Sequence, residues 1–155
     1  MKHDSIIATE GYPFIIFSLI ITVFVAILGK NFWLMGFFAL LTVFIVWFFR
    51  NPERYFQEEE KVIISPADGK VIKIENVELN GTMSGKFRKI SIFMNVFNVH
   101  VNRAPYQGTI ETINYHEGKF ISANLDKASL DNERNEVLIR TDDGRIIWTV
   151  QIAGL

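Results

Sequence analysis

Hydrophobic side chains are unevenly distributed along the chain. Residues 14–28 and 32–49 carry no charge, and only Gly29, Lys30 and Asn31 lie between them. A spanning helix needs about 20 apolar residues, within a range of roughly 17 to 25. Each run is at the short end, and the pair predicts a membrane-inserted helical hairpin over 13–28 and 32–49, spanning or monotopic. Core helices of a soluble protein keep a polar face over such lengths, and neither run has one. A cleaved signal peptide fits poorly, because the apolar region is double and the start, MKHDSIIATEG, is not strongly basic. Lys2, Arg50 and Arg54 flank the outer ends while Lys30 alone sits in the connection. By the positive-inside rule this puts both ends, and the rest of the chain, on the cytoplasmic side of the cell membrane.

Asn51-Pro52 ends the second run, since proline lacks a backbone donor and disfavours helix in the residue before it. Residues 1–54 therefore read as an anchor, and 55–61, with Glu58-Glu59-Glu60-Lys61, as a solvated linker. Over 62–155 the apolar period drops to two, in KVIKIENV (70–77), RKISIFMNVF (88–97), GTIETINY (108–115), EVLIRT (136–141) and RIIWTVQI (145–152). TDDGR between the last two predicts a hairpin turn with Gly144 at positive φ. The expected fold is an N-terminal transmembrane or membrane-inserted helical hairpin followed by a mainly antiparallel β (β-rich α+β) domain. That domain reads as incomplete at its C-terminus, because the strand pattern runs almost to the last residue. The polar stretch 122–135, SANLDKASLDNERN, has no period and is long for a structureless connection, a feature often tied to function.

Composition removes several classes of function. A formal net charge of −1 over 155 residues gives no global field for nucleic acid, and the absence of cysteine excludes a disulfide scaffold. There is no P-loop, no dinucleotide glycine fingerprint, and no cluster of His, Cys or carboxylate at metal-ligand spacing. His3 precedes the first apolar run and His116 sits in YHEGK. Three stretches remain. SPADGKV (65–71) puts Asp68 before a glycine and ahead of a strand, which alone reads as a turn. FMNVFNVHVNRAP (93–105) runs from a strand into His100, Asn102 and Arg103, which are costly to bury without partners. Its simplest reading is a histidine satisfied at a strand end. LDKAS (125–129) suggests a carrier, because lipoyl domains attach their cofactor to a lysine in a short Asp-Lys-Ala hairpin turn. The flanks of Lys127, SAN and LDNERN, are not the two apolar strands such a turn requires.

In their order and spacing, the apolar hairpin, FFRNPER (48–54), SPADGKV, FMNVFNVHVNRAP, ANLDKASLDNER (123–134) and QIAGL (151–155) resemble the short form of phosphatidylserine decarboxylase, a membrane-bound proenzyme. The resemblance implies decarboxylation of phosphatidylserine to phosphatidylethanolamine in phospholipid biosynthesis, with a pyruvoyl cofactor. In that family a serine of a Gly-Ser pair attacks the preceding carbonyl, and the chain breaks by ester formation and elimination. The serine becomes a pyruvoyl group at the new amino terminus, a ketone that withdraws the electrons released with carbon dioxide, the role PLP plays elsewhere.

The same resemblance makes His100 the active-site histidine and Asp68 its partner carboxylate. An imidazole can take the serine proton near neutrality if a carboxylate fixes its tautomer and orientation. Asn102 and Arg103 are implied to line the substrate pocket, Arg103 pairing with the phosphate or carboxylate of the headgroup. The implied partners are a membrane phospholipid and the C-terminal pyruvoyl-bearing chain of the same proenzyme, with no metal; a homo-oligomer is left open.

One departure matters. None of the ten glycines is followed by serine. No residue here can become the pyruvoyl group, and residues 1–155 alone are expected to be inactive. The strand pattern near Leu155 favours an incomplete proenzyme over a degenerate member. The alternative from another class is a non-catalytic membrane-tethered β module, a lipoyl-like carrier or an interaction domain. An archaeal-type serine lipid stays open as substrate.

Overall fold

The computed structural model describes residues 5–29, 31–55, 62–79, 84–121 and 131–154. They fall into two compact units, Met1–Glu59 with Ala67–Arg103, and Glu60–Pro66 with Ala104–Leu155. His3, Lys127 and most of the polar stretch 122–135 lie outside the described residues.

In the first unit, α1 (Tyr12–Leu28) follows a short 3-10 turn, with proline in the first helical turn, where its missing donor is harmless. Asn31 starts α2 (Phe32–Phe48): its Oδ1 accepts the N–H groups of Trp33 and Leu34 at 3.0 and 3.3 Å. The helices pack together, and their hydroxyls turn inward. Thr22 Oγ1 and Thr42 Oγ1 lie 2.9 Å apart, so that one hydroxyl can donate to the other, which in turn donates to a carbonyl oxygen one turn earlier in its own helix, Ser18 O or Phe38 O. Phe17, Phe24, Trp33 and Leu40 are exposed on the outer faces. Apolar outside and hydrogen-bonded inside is the reverse of a soluble core. Thr9–Leu28 is long and apolar enough to cross a membrane, and Phe32–Phe48 is a shorter apolar helix.

The residues ahead of α1 fold back on the end of α2. Ile7 bridges Arg50, Ala8 N–H donates to Phe49 O at 2.9 Å, and Asn51 N–H donates to Ile6 O at 2.6 Å. Phe49 stacks on Phe14 with centroids 5.5 Å apart. Gly11 permits this contact, since a Cβ there would lie 2.5 Å from the Cβ of Phe49.

The strands are antiparallel, as the period of two predicts. β1 (Lys70–Leu79) and β2 (Gly85–Phe93) form a two-stranded sheet. In the second unit β3 (Thr109–His116), β4 (Arg134–Arg140) and β5 (Ile146–Ile152) form a three-stranded sheet in that order. The β4–β5 turn is the expected one: Thr141 N–H donates to Arg145 O and Gly144 N–H to Thr141 O, both at 3.0 Å, with Gly144 at φ 81°. One boundary moves. The strand expected over 88–97 stops at Phe93, because the following residues form a turn described below.

The two hairpins β1–β2 and β3–β4 are copies of one another. Lys70↔Phe93, Val71↔Ile92, Lys73↔Ser91 and Ile74↔Ile90 in the first match Thr109↔Arg140, Ile110↔Ile139, Thr112↔Leu138 and Ile113↔Val137 in the second. Each first strand carries a bulge at the same place, at Ile72 and at Glu111. Each is preceded by Pro-x-x-Gly, as Pro66-Ala67-Asp68-Gly69 and Pro105-Tyr106-Gln107-Gly108. Both glycines touch the backbone of the partner strand. A Cβ on Gly69 would lie 2.4 Å from Phe93 O, and one on Gly108 would lie 2.4 Å from Arg140 O. Asp68 thus occupies the place that Gln107 takes in the second copy.

Candidate active site at the His100 loop

Asparagines end β2. Asn95 Oδ1 accepts Phe97 N–H at 2.9 Å, Asn98 Oδ1 accepts Asn95 N–H at 2.8 Å, and Asn98 N–H donates to Asn95 O at 3.0 Å. Side chains that bond their own backbone compete with strand pairing, so NVFN closes into a tight turn. Val99, 2% exposed, then pins the chain, and His100 follows.

The His100 ring is held on two sides. Its Nδ1 is 3.0 Å from Asn98 O. A carbonyl oxygen only accepts, so Nδ1 carries the hydrogen and the neutral ring keeps its lone pair on Nε2. One face of the imidazole stacks on Phe48, with centroids 4.2 Å apart and planes 22° apart. The tautomer-fixing partner is therefore a backbone carbonyl of the same turn.

Asp68 stands on the Pro-x-x-Gly turn ahead of β1, and Gly69 sets that turn against the end of β2. Among the described residues its carboxylate is paired with the guanidinium of Arg54, and no hydrogen bond joins it to His100. Arg103 Nη2 donates to Asn51 Oδ1 and to Pro52 O, both at 2.8 Å, which uses both hydrogens of that nitrogen. Asn102 is exposed on the same loop.

FFRNPER is the stretch whose local role the sequence did not disclose. Phe48 stacks on His100, and Arg50 donates to Phe97 O at 2.7 Å while lying 4.2 Å from the Trp47 ring. Asn51 and Pro52 receive Arg103, and Arg54 holds Asp68. The end of α2 is thus the seat of both the His100 loop and Asp68. Two arginines and a proline directly after a long apolar run were the available signal.

The second unit contributes a different buried polar group. Asn132 is fully buried; its Nδ2 donates to Ile121 O at 2.6 Å and Ala153 O at 2.7 Å, and its Oδ1 accepts Ile121 N–H at 3.0 Å. It joins three chain segments, so its place is structural.

Comparison with known proteins gives the family of the chain. Residues 41–155 match the model of the family described as phosphatidylserine decarboxylase. The chain is 54% identical over 155 residues to the phosphatidylserine decarboxylase proenzyme of Syntrophus aciditrophicus, covering 100% of this chain and 73% of that protein. It is 47% identical over 150 residues to the proenzyme of Ralstonia nicotianae, covering 97% and 69% respectively. Against that of Magnetococcus marinus it is 42% identical over 155 residues, covering 100% and 71%. The chain belongs to the phosphatidylserine decarboxylase family.

Proposed function

We propose that this chain carries the membrane-anchored, base-bearing part of a phosphatidylserine decarboxylase proenzyme, which converts phosphatidylserine to phosphatidylethanolamine. The family match over 41–155, which includes both the Asp68 turn and the His100 loop, carries the reading. The pyruvoyl group supplies an electron sink for the pair released with carbon dioxide. The chain has no Gly-Ser pair from which that group could form. Its residues are therefore assigned roles around a serine they do not include.

His100 is the base. With Nδ1–H given to Asn98 O, Nε2 accepts the serine hydroxyl proton, and the imidazole later returns a proton. Asp68, held by Arg54 on the turn ahead of β1, is the partner carboxylate that the family resemblance assigns to His100. Asn102, exposed, and Arg103, anchored at Nη2, are the contacts for the headgroup. The outward apolar faces of α1 and α2 support insertion in the membrane, with the His100 loop on the cytoplasmic side and residues 62–155 as the catalytic domain.

The test uses residues 1–155 extended through the Gly-Ser-bearing segment of a family member. The unchanged chain should split into two bands on a gel and release carbon dioxide from serine phospholipid. His100→Ala should remain a single band, since losing a general base costs about 100- to 10,000-fold in rate. Asp68→Asn should cleave more slowly, and Arg103→Ala should cleave but turn over substrate poorly. Normal cleavage by His100→Ala would sink the assignment.

A further inference from the structure

We infer that Phe48, the last residue of α2, is a positioning residue for His100: the anchor helix sets the plane of the catalytic imidazole. This rests on the reading of His100 as the base. The hydrogen bond from Nδ1 to Asn98 O fixes one atom of the ring but leaves the ring able to swing about that bond. The stack on Phe48, at 4.2 Å and 22°, is the contact that removes this freedom and so directs Nε2. Phe48 is itself held from both sides. It forms edge contact with Phe49, whose ring stacks on Phe14 of α1, and a tilted contact with Phe44 one turn back. Arg50 pins the loop to the same helix end through Phe97 O. A ring carried by a helix is more precisely placed than one carried by a loop, and a displacement of about 1 Å at a reacting group can cost about 100-fold in rate.

The first measurement needs no substitution. In the full chain, held in lipid nanodiscs and labelled at histidine, the His100 ring protons should be displaced upfield by the Phe48 ring current. Undisplaced signals would overturn the inference. In the Gly-Ser-extended chain, Phe48→Leu should abolish that displacement and slow self-cleavage about 100-fold, while Phe48→Tyr, which keeps an aromatic face, should restore both. Phe37→Leu, on the same helix but outside the cluster that holds Phe48, should leave the rate unchanged and controls for loss of an aromatic side chain from α2. If His100→Ala cleaves normally, the base assignment fails. If His100→Ala is inactive while Phe48→Leu cleaves at the unchanged rate, the positioning role alone fails.

Discussion

At the scale of single residues, the chain places polar groups where the backbone needs them. Asn132 is the clearest case: Asn132→Ala would leave Ile121 N–H, Ile121 O and Ala153 O without their side-chain partner. An orphaned buried group costs about 1–3 kcal/mol. The partners Ile121 and Ala153 are only half-buried, so the second unit should lose about 1–3 kcal/mol in all, read as a lowered denaturant midpoint; an unchanged midpoint would contradict the structural role of Asn132. Asp143 gives the β4–β5 turn a pH dependence. The Thr141 hydroxyl and then the Arg145 guanidinium donate to its carboxyl and hold it below the usual carboxylate range. A lowered folded value means the stabilisation is present above the unfolded value, about 3.9, and is lost as pH falls through the folded one. The amide signals of Thr141 and Gly144 should stay constant down to about pH 4 and move below it. Asp143→Asn should abolish that acid limb.

At the scale of elements, the apolar period located the five strands found among the described residues, because successive side chains of a strand point to opposite faces. It overran at 94–97 for a physical reason. Val96 keeps the period of Ile90, Ile92 and Met94 although the ladder ends at Phe93, while the asparagines that make the turn carry no periodic signal. His100, Asp68, Asn102 and Arg103 were singled out as a candidate site through family resemblance alone. The contacts of Phe48 and Arg54 with them are set by tertiary packing and leave no mark in local pattern. The hairpin copies were also hidden, since only Pro, Gly and a few β-branched positions coincide. Their shared geometry predicts a shared sensitivity. Gly69→Ala and Gly108→Ala each drive a Cβ into a carbonyl oxygen at 2.4 Å. Each should cost about 1–3 kcal/mol, the usual range for overpacking. Gly36→Ala, where a Cβ meets nothing within 4 Å, should not destabilise. Equal midpoints for all three variants would refute the close approach.

At the scale of the whole molecule, the proposed anchor and chemistry are not separable parts. Deleting residues 13–49 should release the remainder into the soluble fraction after carbonate washing; membrane retention of residues 55–155 would count against the anchor. The same deletion removes Phe48, so the released protein should also lose the upfield displacement at His100. A boundary at 62, where the apolar character of the chain changes, is thus distinct from the boundary of the group that holds the imidazole, which draws on residues 48–54.

Two hairpins of one register in one chain raise a problem during folding, since strands could exchange partners and keep their apolar contacts. Setting β1 against β4 in the shared register would bring Val71 to Ile139 and Ile74 to Val137, as favourable as the native pairs. It would also bring Lys70 opposite Arg140 and Glu75 opposite Glu136, and like charges directly opposite are destabilising. In the native hairpins Lys70 faces Phe93 and Glu75 faces Lys89, which it pairs at 3.5 Å. Lys70 and Glu75 thus disfavour the exchanged pairing while the native one leaves both without a like charge opposite.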